Sequence, residues 1–417
     1  MKKIWSILLL IPLIVFSSCQ RVPPAPEEPV AGHALAEPIE ISLLLHDPSQ
    51  LAAIQETILC FEKEYPEIQI RLRTAEGKDY REYVRSCILD NTAVLFSFGS
   101  LDEVAYWEDS LLDFSSSALS REQKAAVNSL LMTAQLPNIP RHALPMTLNG
   151  YGIAYHREML RTAAIDRRAF LTPEKMQQAA QSLLAYQKTT LSPDFQNLQA
   201  LFYMQDPAAW PEVCSAEILA AGFASVPQAE QTPEDSPLET LLSLFWKQGG
   251  GTSLSPVESL LNKETLFAPV TTADLRKYSG YGALTTLDLL PIPTGSSVFL
   301  PVQVEGWWGI SQEAGLLEQE AALQFLNWLY TEPTGKVCAA ETLYWIPPYR
   351  SFELYDFPQG ASRTVFQAYL EKTASAWPSM TEEKVRQIRN AFSLFLSGKL
   401  SLEDLEANIQ SASNPPT

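Results

Sequence analysis

The chain has few cysteines and few basic residues for its length, and each shortage argues against a class of protein. Five cysteines in 417 residues, with no Cys-x-x-Cys pair, do not indicate a zinc ribbon or a disulfide-rich scaffold. Thirty Lys and Arg residues against 48 Asp and Glu residues give a formal net charge of −18, which argues against nucleic acid as a partner. No apolar run reaches the roughly 20 residues that cross a bilayer as a helix.

The sequence motifs of common catalytic sites are also absent. The chain has no HExxH, GxSxG, GxxxxGK[ST] or GxGxxG pattern. The acidic residues leave room for the carboxylate pair of a secreted hydrolase, but no pattern nominates a pair. A metal receptor would have to use histidines whose spacing carries no signal: His33, His46, His142 and His156. We therefore predict a protein that is not an enzyme and holds no metal or cofactor. A secreted hydrolase and a metal receptor are the alternative hypotheses.

The N-terminus has the pattern of a secretion signal. Lys2 and Lys3 precede an apolar run from Ile4 to Phe16, and two serines separate this run from Cys19. The run is shorter than a membrane-spanning helix, so the pattern indicates a cleavable segment. We predict that residues 1–18 are a signal peptide.

The residues around Cys19 resemble the lipobox of bacterial lipoproteins. That resemblance implies cleavage before Cys19 and a diacylglyceryl thioether on its sulfur, and two acyl chains anchor a protein stably to a membrane surface. Residues 19–39 carry five prolines, three glutamates and almost no bulky apolar side chain, so we expect a flexible tether. The predicted location is extracytoplasmic, on the cell membrane as a lipoprotein. A plain secretion signal, with Cys19 incidental, is the alternative.

The folded part begins with alternating strand and helix patterns. Apolar or alternating segments predict strands at Ile41–His46, Ile68–Leu72 and Ala93–Phe98, and periodic segments predict helices at Leu51–Glu64 and Tyr80–Leu89. This βαβαβ order is typical of a parallel sheet. The chain beyond the tether exceeds the ~250–300 residues at which single cores stop growing, so two domains are expected.

Helices predominate in the C-terminal third. Thr172 and Pro173 begin an earlier helix, and further helices are predicted at Glu318–Tyr330, at Glu382–Leu396 and after Ser401. Surface loops or breaks are predicted at Gln228–Pro237 and Gly249–Gly251. Buried free thiols are expected at the remaining cysteines, with disulfides as the alternative: Cys60, Cys87, Cys214 and Cys338.

These elements, in this order, resemble the family 1 extracellular solute-binding proteins of ABC importers, the group that contains maltose- and other sugar-binding proteins. The similarity covers nearly the whole chain. Its motifs are found at Phe61, Glu62, Tyr65 and Pro66, at Leu144, Pro145 and Met146, and at Gly398, Leu400, Ser401 and Glu403. The family's small-x-Met-x-x-x-Gly-x-Trp segment is reduced to Leu266, Phe267 and Ala268 with no tryptophan after it, so the resemblance constrains the ligand less than the fold.

The resemblance implies an α/β, two-lobed, type II periplasmic-binding-protein-like fold, in which each lobe is a mostly parallel sheet with flanking helices and hinge strands join the lobes. Lobe one would comprise residues 40–145 plus 290–345, and lobe two residues 150–287 plus 350–412, with 413–417 as a tail. A sugar or oligosaccharide would bind between the lobes, and hinge closure would present it to ABC permease subunits. A ligand sensor for a signalling partner is an alternative, and we expect a monomer.

Ligand-binding candidates follow from sheet geometry. Ligands of open α/β sheets lie beyond the carboxyl ends of the strands, which nominates His46 and Asp47 after the first strand and Phe98 and Ser100 after the third.

Further candidates lie on the segments that would cross between the lobes. Alternation along residues 302–310 places Gln303, Glu305 and Trp307 on one face, and Trp308 on the other face with the core. Polar side chains beside an indole suit a sugar ligand. Four more candidates flank the crossings: Asn149, Tyr151, Tyr344 and Trp345.

Overall fold

A computed structural model describes residues 37–134, 139–203, 249–250, 254–293, 298–371, 374–376 and 382–413. The predicted signal peptide, the tether through residue 36, Cys214 and the predicted Gln228–Pro237 loop lie outside these residues. None of the helices within the described ranges is long and apolar enough to cross a membrane.

The described strands and helices alternate along most of the chain. The strands are β1 Ile39–Leu45, β2 Ile68–Thr74, β3 Leu95–Phe98, β4 Leu144–His156, β5 Ala200–Tyr203, β6 Gly249–Gly250, β7 Thr265–Thr271, β8 Leu287–Leu290, β9 Ile292–Pro293, β10 Val298–Ile310 and β11 Ala374–Ala376. The helices are α1 Leu51–Glu64, α2 Tyr80–Leu89, α3 Leu101–Trp107, α4 Arg121–Thr133, α5 Arg157–Thr162, α6 Pro173–Thr189, α7 Pro256–Leu261, α8 Thr272–Lys277, α9 Ala283–Thr286, α10 Leu316–Thr331, α11 Pro333–Val337, α12 Ala361–Leu370, α13 Glu382–Leu396 and α14 Leu402–Ser413.

The predicted βαβαβ unit is confirmed, and α1 and α2 have the predicted bounds. Helix α1 buries Ile54, Ile58 and Phe61, which are spaced so that they share one helix face. It ends at Tyr65, because a residue that precedes proline is disfavoured in the helical conformation. Helix α2 begins at Asp79, whose carboxylate accepts a hydrogen bond from the backbone of Glu82 at 3.0 Å.

The strands pair in the order β2-β1-β3-β10-β4-β7-β5-β6. Strand β1 is parallel to β2 and β3, and β5 is parallel to β6 and β7, so each half of the sheet contains the predicted parallel pairing. Strands β10 and β4 are antiparallel to each other and to the strands beside them, β3 and β7. Each half is therefore a mixed sheet.

Two long strands, β4 and β10, connect the halves. Their pairing joins Leu144–Gly150 to Val302–Trp308, after which β4 continues along β7 and β8. At Gly306 the backbone is left-handed, with φ +81°, and an added Cβ would lie 2.7 Å from the sulfur of Met146. A glycine is required there, because only glycine combines this φ with so close an approach.

Apolar side chains fill both faces of the sheet. Trp308 is fully buried in the largest cluster, as predicted, with residues of α1 and α10, and a second cluster gathers residues of α6, β5, β7, α13 and α14. Cys87 and Cys338 are buried free thiols, whereas Cys60 is only half-buried. The predicted break at Gly249–Gly251 is wrong for Gly249–Gly250, which pairs with β5 as β6.

Candidate ligand-binding site

Polar side chains gather at the carboxyl ends of β1 and β3. The backbone N–H of His46 donates to Ser97 Oγ at 2.8 Å, which ties the two strand ends together. His46 Nε2 lies 3.6 Å from Glu103 Oε1, and the other oxygen of Glu103 accepts the Gly99 N–H at 2.8 Å. His46, Asp47, Ser100 and Glu103 are called the strand-end cluster below.

His46 and Glu103 each stabilise the ionised form of the other. The nearby carboxylate of Glu103 raises the pKa of His46, although partial burial acts in the opposite direction. Partial burial would raise the pKa of Glu103, but the nearby His46 and the hydrogen bond from the Gly99 N–H prevail and lower it. The ring of Tyr80 meets the imidazole edge-on, with 4.7 Å between centroids. The cluster thus presents a half-exposed imidazole held in one orientation.

Asp47 and Ser100 have local structural partners. Asp47 accepts hydrogen bonds from the backbone of Ser49 at 3.0 Å and from Gln50 Nε2 at 3.1 Å. These bonds lower the pKa of Asp47 despite its partial burial. Ser100 caps α3, since its hydroxyl accepts the Glu103 N–H at 3.3 Å. Both side chains therefore order the ends of their strands, and Ser100 stays exposed.

A second group of polar contacts lies where β4 meets α8. Asn149 is buried, and its Oδ1 accepts hydrogen bonds from Thr272 Oγ1 at 2.9 Å and from the Ala273 N–H at 3.0 Å. Thr272 Oγ1 in turn accepts the Gly150 N–H at 3.0 Å. Asn149 therefore fixes the start of α8 to the crossing strand. Its carbonyl oxygen already has two donors.

Arg276, on α8, contacts two predicted site residues. Its Nη1 donates to Glu305 Oε2 at 3.1 Å, and its Nε donates to the Tyr344 carbonyl oxygen at 3.4 Å. The arginine side chain is 9% exposed and its Nη2 is buried without a hydrogen-bond partner, whereas Glu305 is 34% exposed. The backbone of Tyr344 has a left-handed conformation, with φ +53°. We call Arg276, Glu305, Tyr344, Gln303 and Tyr151 the crossing cluster.

The remaining members of the crossing cluster lie on the paired strands. Gln303 of β10 lies opposite Asn149 in the strand register, and its Nε2 donates to the hydroxyl of Tyr151. Gln303 and Glu305 are half-buried and share a face of β10, as alternation predicts. Their side chains keep a polar edge that a ligand can contact.

The three buried aromatic candidates serve as packing residues in this conformation. Phe98 and Trp307 lie opposite each other on β3 and β10, are 1% and 5% exposed, and belong to one apolar cluster with residues of α2 and α3. Trp345 is fully buried beside Trp308, and its Nε1 donates to Gln50 Oε1 at 2.9 Å. Their rings offer almost no surface to a ligand, and the half-buried Tyr151 and Tyr344 offer more.

Sequence reasoning missed three residues of these clusters: Glu103, Thr272 and Arg276. The Ser100-x-x-Glu103 spacing is a capping signature and could have placed Glu103 at the end of β3. No local pattern marks Arg276, since its partners come from β10 and from the segment after α11. Among the described residues, no group of three or more His, Cys, Asp or Glu side chains is placed to hold a metal ion.

No protein-family model matches the sequence, and no curated protein sequence matches it either. Solved structures do. RafE from Streptococcus pneumoniae in its apo form aligns over 91% of this chain and 99% of its own, with 13% identity and a TM-score of 0.61. An ABC substrate-binding protein from Listeria monocytogenes, in complex with cycloalternan, aligns over 90% of this chain and 98% of its own, with 14% identity and a TM-score of 0.57.

The chain has the fold of ABC-transporter solute-binding proteins. A sugar transporter structure from Rhizobium etli in an open conformation agrees, covering 91% of this chain and 100% of its own at 13% identity and a TM-score of 0.58. The predicted α/β, two-lobed, periplasmic-binding-protein-like architecture is thereby confirmed. Strands β4 and β10 pair with each other between the two halves of the sheet, and the crossing cluster lies on and beside them.

Proposed function

We propose that this chain is a family 1 solute-binding lipoprotein of an ABC importer that captures a sugar or oligosaccharide, without catalysis, and delivers it to the permease. The observation that carries the proposal is the likeness of the fold to solved sugar-binding proteins over about nine-tenths of the chain. RafE has been solved with raffinose, and the GacH receptor of Streptomyces glaucescens with acarbose. The ligands in these structures are saccharides.

The two polar clusters are the proposed ligand contacts. In the strand-end cluster, the half-exposed His46 can donate to a hydroxyl while Glu103 holds its ring. In the crossing cluster, Gln303 and Glu305 supply amide and carboxylate groups, and the half-buried Tyr344 supplies an aromatic ring. A few placed polar groups beside an aromatic surface match the general make-up of small-molecule sites. Phe98, Trp307 and Trp345 would form the packed wall behind these groups.

The proposed binding step is closure of two lobes, residues 40–145 plus 290–345 and residues 150–287 plus 350–412. A ligand drives such closure only through contacts that it makes in the closed state alone. The crossing cluster suits this role, because Arg276 of α8 already bridges to Glu305 of β10 and to the Tyr344 carbonyl. A ligand that adds contacts to Gln303 or Tyr344 would hold α8 against the crossing strands.

Membrane attachment is proposed through Cys19, on the sequence pattern alone. Two acyl chains on this residue would hold the mature chain at the cell membrane, and the acidic tether would separate the binding lobes from the bilayer. The test is metabolic labelling with a palmitate analogue. The natural chain should incorporate label and Cys19→Ala should not, whereas Cys87→Ser, as a matched control, should keep it. Equal labelling of Cys19→Ala would overturn the anchor.

A thermal-shift screen tests the ligand class. The purified protein is heated with mono- and oligosaccharides, glycosides, amino acids, polyamines or divalent metals, each in a separate sample. A ligand at 100 times its Kd should stabilise the protein by about 2.7 kcal/mol, which is roughly 5–10 °C at about 2–4 °C per kcal/mol. We expect shifts with saccharides. A shift with metals alone, or a flat screen of a folded protein, would contradict the sugar proposal.

The same screen locates the site. Gln303→Ala and Tyr344→Ala should lose more than half of the saccharide shift, because each removes a proposed contact. Tyr355→Ala is the matched control, since Tyr355 is 72% exposed and belongs to neither cluster. A full saccharide shift in both site variants would place the ligand elsewhere while leaving the ligand class intact.

A further inference from the structure

Two cysteines that are distant in sequence meet in the core of the first half of the sheet. Cys60 lies on α1, and Cys338 begins a π-helical turn, Cys338–Thr342, directly after α11. The side chain of Cys60 is close enough to the Cys338 thiol to raise its pKa. Both pack on the largest apolar cluster, where Cys338 is 4% exposed and Cys60 is half-buried. Cys87, the third described cysteine, lies in a different cluster.

We propose that Cys60 and Cys338 form a reversible disulfide in the mature protein. Neighbouring thiols can bond after a small side-chain adjustment, provided that the backbones on both sides are close. Helix α1 and the π-helical turn are in contact, which brings the two segments together. Outside the cytoplasm, where the proposed function places the chain, disulfides form and persist. Both cysteines are free thiols in the structure, so the disulfide would be the oxidised form of this pair.

The environment of the two thiols sets the order of the reaction. Burial, together with Cys60 and the nearby carboxylates Glu56 and Glu64, raises the pKa of Cys338 to about 12, so Cys338 is a poor first nucleophile. Cys60 is the accessible thiol. Its thiolate attacks one sulfur of a disulfide oxidant, forming a mixed disulfide and releasing the first thiolate of the oxidant. Cys338 then gives up its proton and attacks the Cys60 sulfur, the Cys60–Cys338 bond forms, and the second thiol of the oxidant leaves. Two protein thiols are oxidised by two electrons, and one small disulfide is reduced to two thiols.

The cross-link would join parts of the chain that meet only in the folded protein. Cys60 belongs to the N-terminal βαβαβ unit, and Cys338 begins the turn that leads to Tyr344 of the crossing cluster. A disulfide that closes so long a loop restricts the unfolded chain strongly. Oxidation should therefore raise the Tm by roughly 5 °C or more.

The test uses the reduced, purified protein and oxidised glutathione. After oxidation the remaining thiols are alkylated, the protein is digested, and peptides are identified by mass spectrometry. We expect a peptide pair linked through Cys60 and Cys338 and a rise in Tm that dithiothreitol reverses. The linked pair should be lost in Cys60→Ser and Cys338→Ser and retained in Cys87→Ser, the matched control.

One result would overturn the proposal: Cys60 accumulating as a stable mixed disulfide with glutathione while Cys338 remains open to alkylation after denaturation. The decisive peptide comes from the natural chain, so the test does not depend on the folding of any variant. The assay contains no sugar, so its failure would leave the proposed function untouched. A failed ligand screen would likewise leave the linked peptide pair standing.

Discussion

We expect the buried His156 to lower the free energy of unfolding in mild acid. The residue ends β4, opposite Leu287 of β8, and its side chain is 4% exposed with Nδ1 buried and without a hydrogen-bond partner. Burial lowers the pKa of His156 from 6.5 to about 4, the positive charge of Lys263 adds to this effect, and Asp194 and Glu158 oppose it. The folded protein therefore keeps this imidazole neutral in a pH range where the unfolded chain protonates it.

The size of the effect follows from linkage. The unfolded chain binds a proton near pH 6.5 and the folded protein near pH 4, so the free energy of unfolding falls as the pH drops between these values. At 1.36 kcal/mol per pKa unit, the full difference is about 3 kcal/mol. Between pH 7 and pH 5 the same two pKa values give a loss of about 2 kcal/mol. Carboxylates with lowered pKa, such as Asp47 and Asp194, also contribute to stability, but this contribution is lost mostly below pH 5.

Urea unfolding followed by tryptophan fluorescence at pH 7 and pH 5 measures this loss. His156→Gln should lose about 2 kcal/mol less than the natural chain between the two pH values, whatever its stability at pH 7. His46→Gln is the matched control, and its effect on the pH-dependent loss of stability should have the opposite sign. The pKa of His46 is raised, so its contribution is present below pH 6.5 and is lost as the pH rises through the folded value. Equal losses in His156→Gln and the natural chain would refute the reasoning.

Three substitutions test local backbone and cap geometry by chemical unfolding. Gly306→Ala should lower the free energy of unfolding by about 2–3 kcal/mol, because it adds a close contact with Met146 to backbone strain. Gly77→Ala, at φ +82° with nothing within 4 Å of its Cβ, should lower it by about 1 kcal/mol. Equal losses would exclude a role for the Met146 contact. Ala164→Gly should stabilise the protein by roughly 0.5 kcal/mol, because Ala164 is exposed and has φ +54°. Ala126→Gly, within α4, should destabilise it by about 1 kcal/mol. A loss of stability at both positions would refute backbone strain at Ala164. Thr172→Ala should cost about 1 kcal/mol, since the Thr172 hydroxyl accepts the Lys175 N–H, and an unchanged midpoint would show that this cap is dispensable.

The elements that the sequence predicted well are those with strong local signals. Helices α1, α2 and α13 have the predicted bounds, and Thr172 and Ser401 cap their helices as expected. Each signal lies within a few residues: an apolar face at helical spacing, a cap, or a following proline. Gly249–Gly250 shows the limit, because glycine usually marks a break and only pairing with β5 makes this pair a strand.

Sequence reasoning nominated candidates at the strand ends and on the crossing segments. The rule that ligands lie beyond the carboxyl ends of strands nominated His46, and the structure adds Glu103 as its partner. Alternation along β10 separated Gln303 and Glu305 from Trp308, but it could not show that Trp307 is 5% exposed, because its burial depends on α2, α3 and Phe98. Whether a ring can face a ligand is decided by what packs over it.

Sequence reasoning nominated four members of the crossing cluster but neither Arg276 nor the contacts that join them. The bonds of this cluster join residues far apart in sequence: 68 positions separate Arg276 from Tyr344, and 152 separate Tyr151 from Gln303. A hydrogen bond between distant segments leaves no spacing pattern in the sequence, and each partner alone is an ordinary polar or aromatic residue. Closure of two lobes would change the separation only of groups that lie on different lobes. A single sequence can nominate such residues, as it did Gln303, Glu305, Tyr151 and Tyr344, but it cannot show which of them meet.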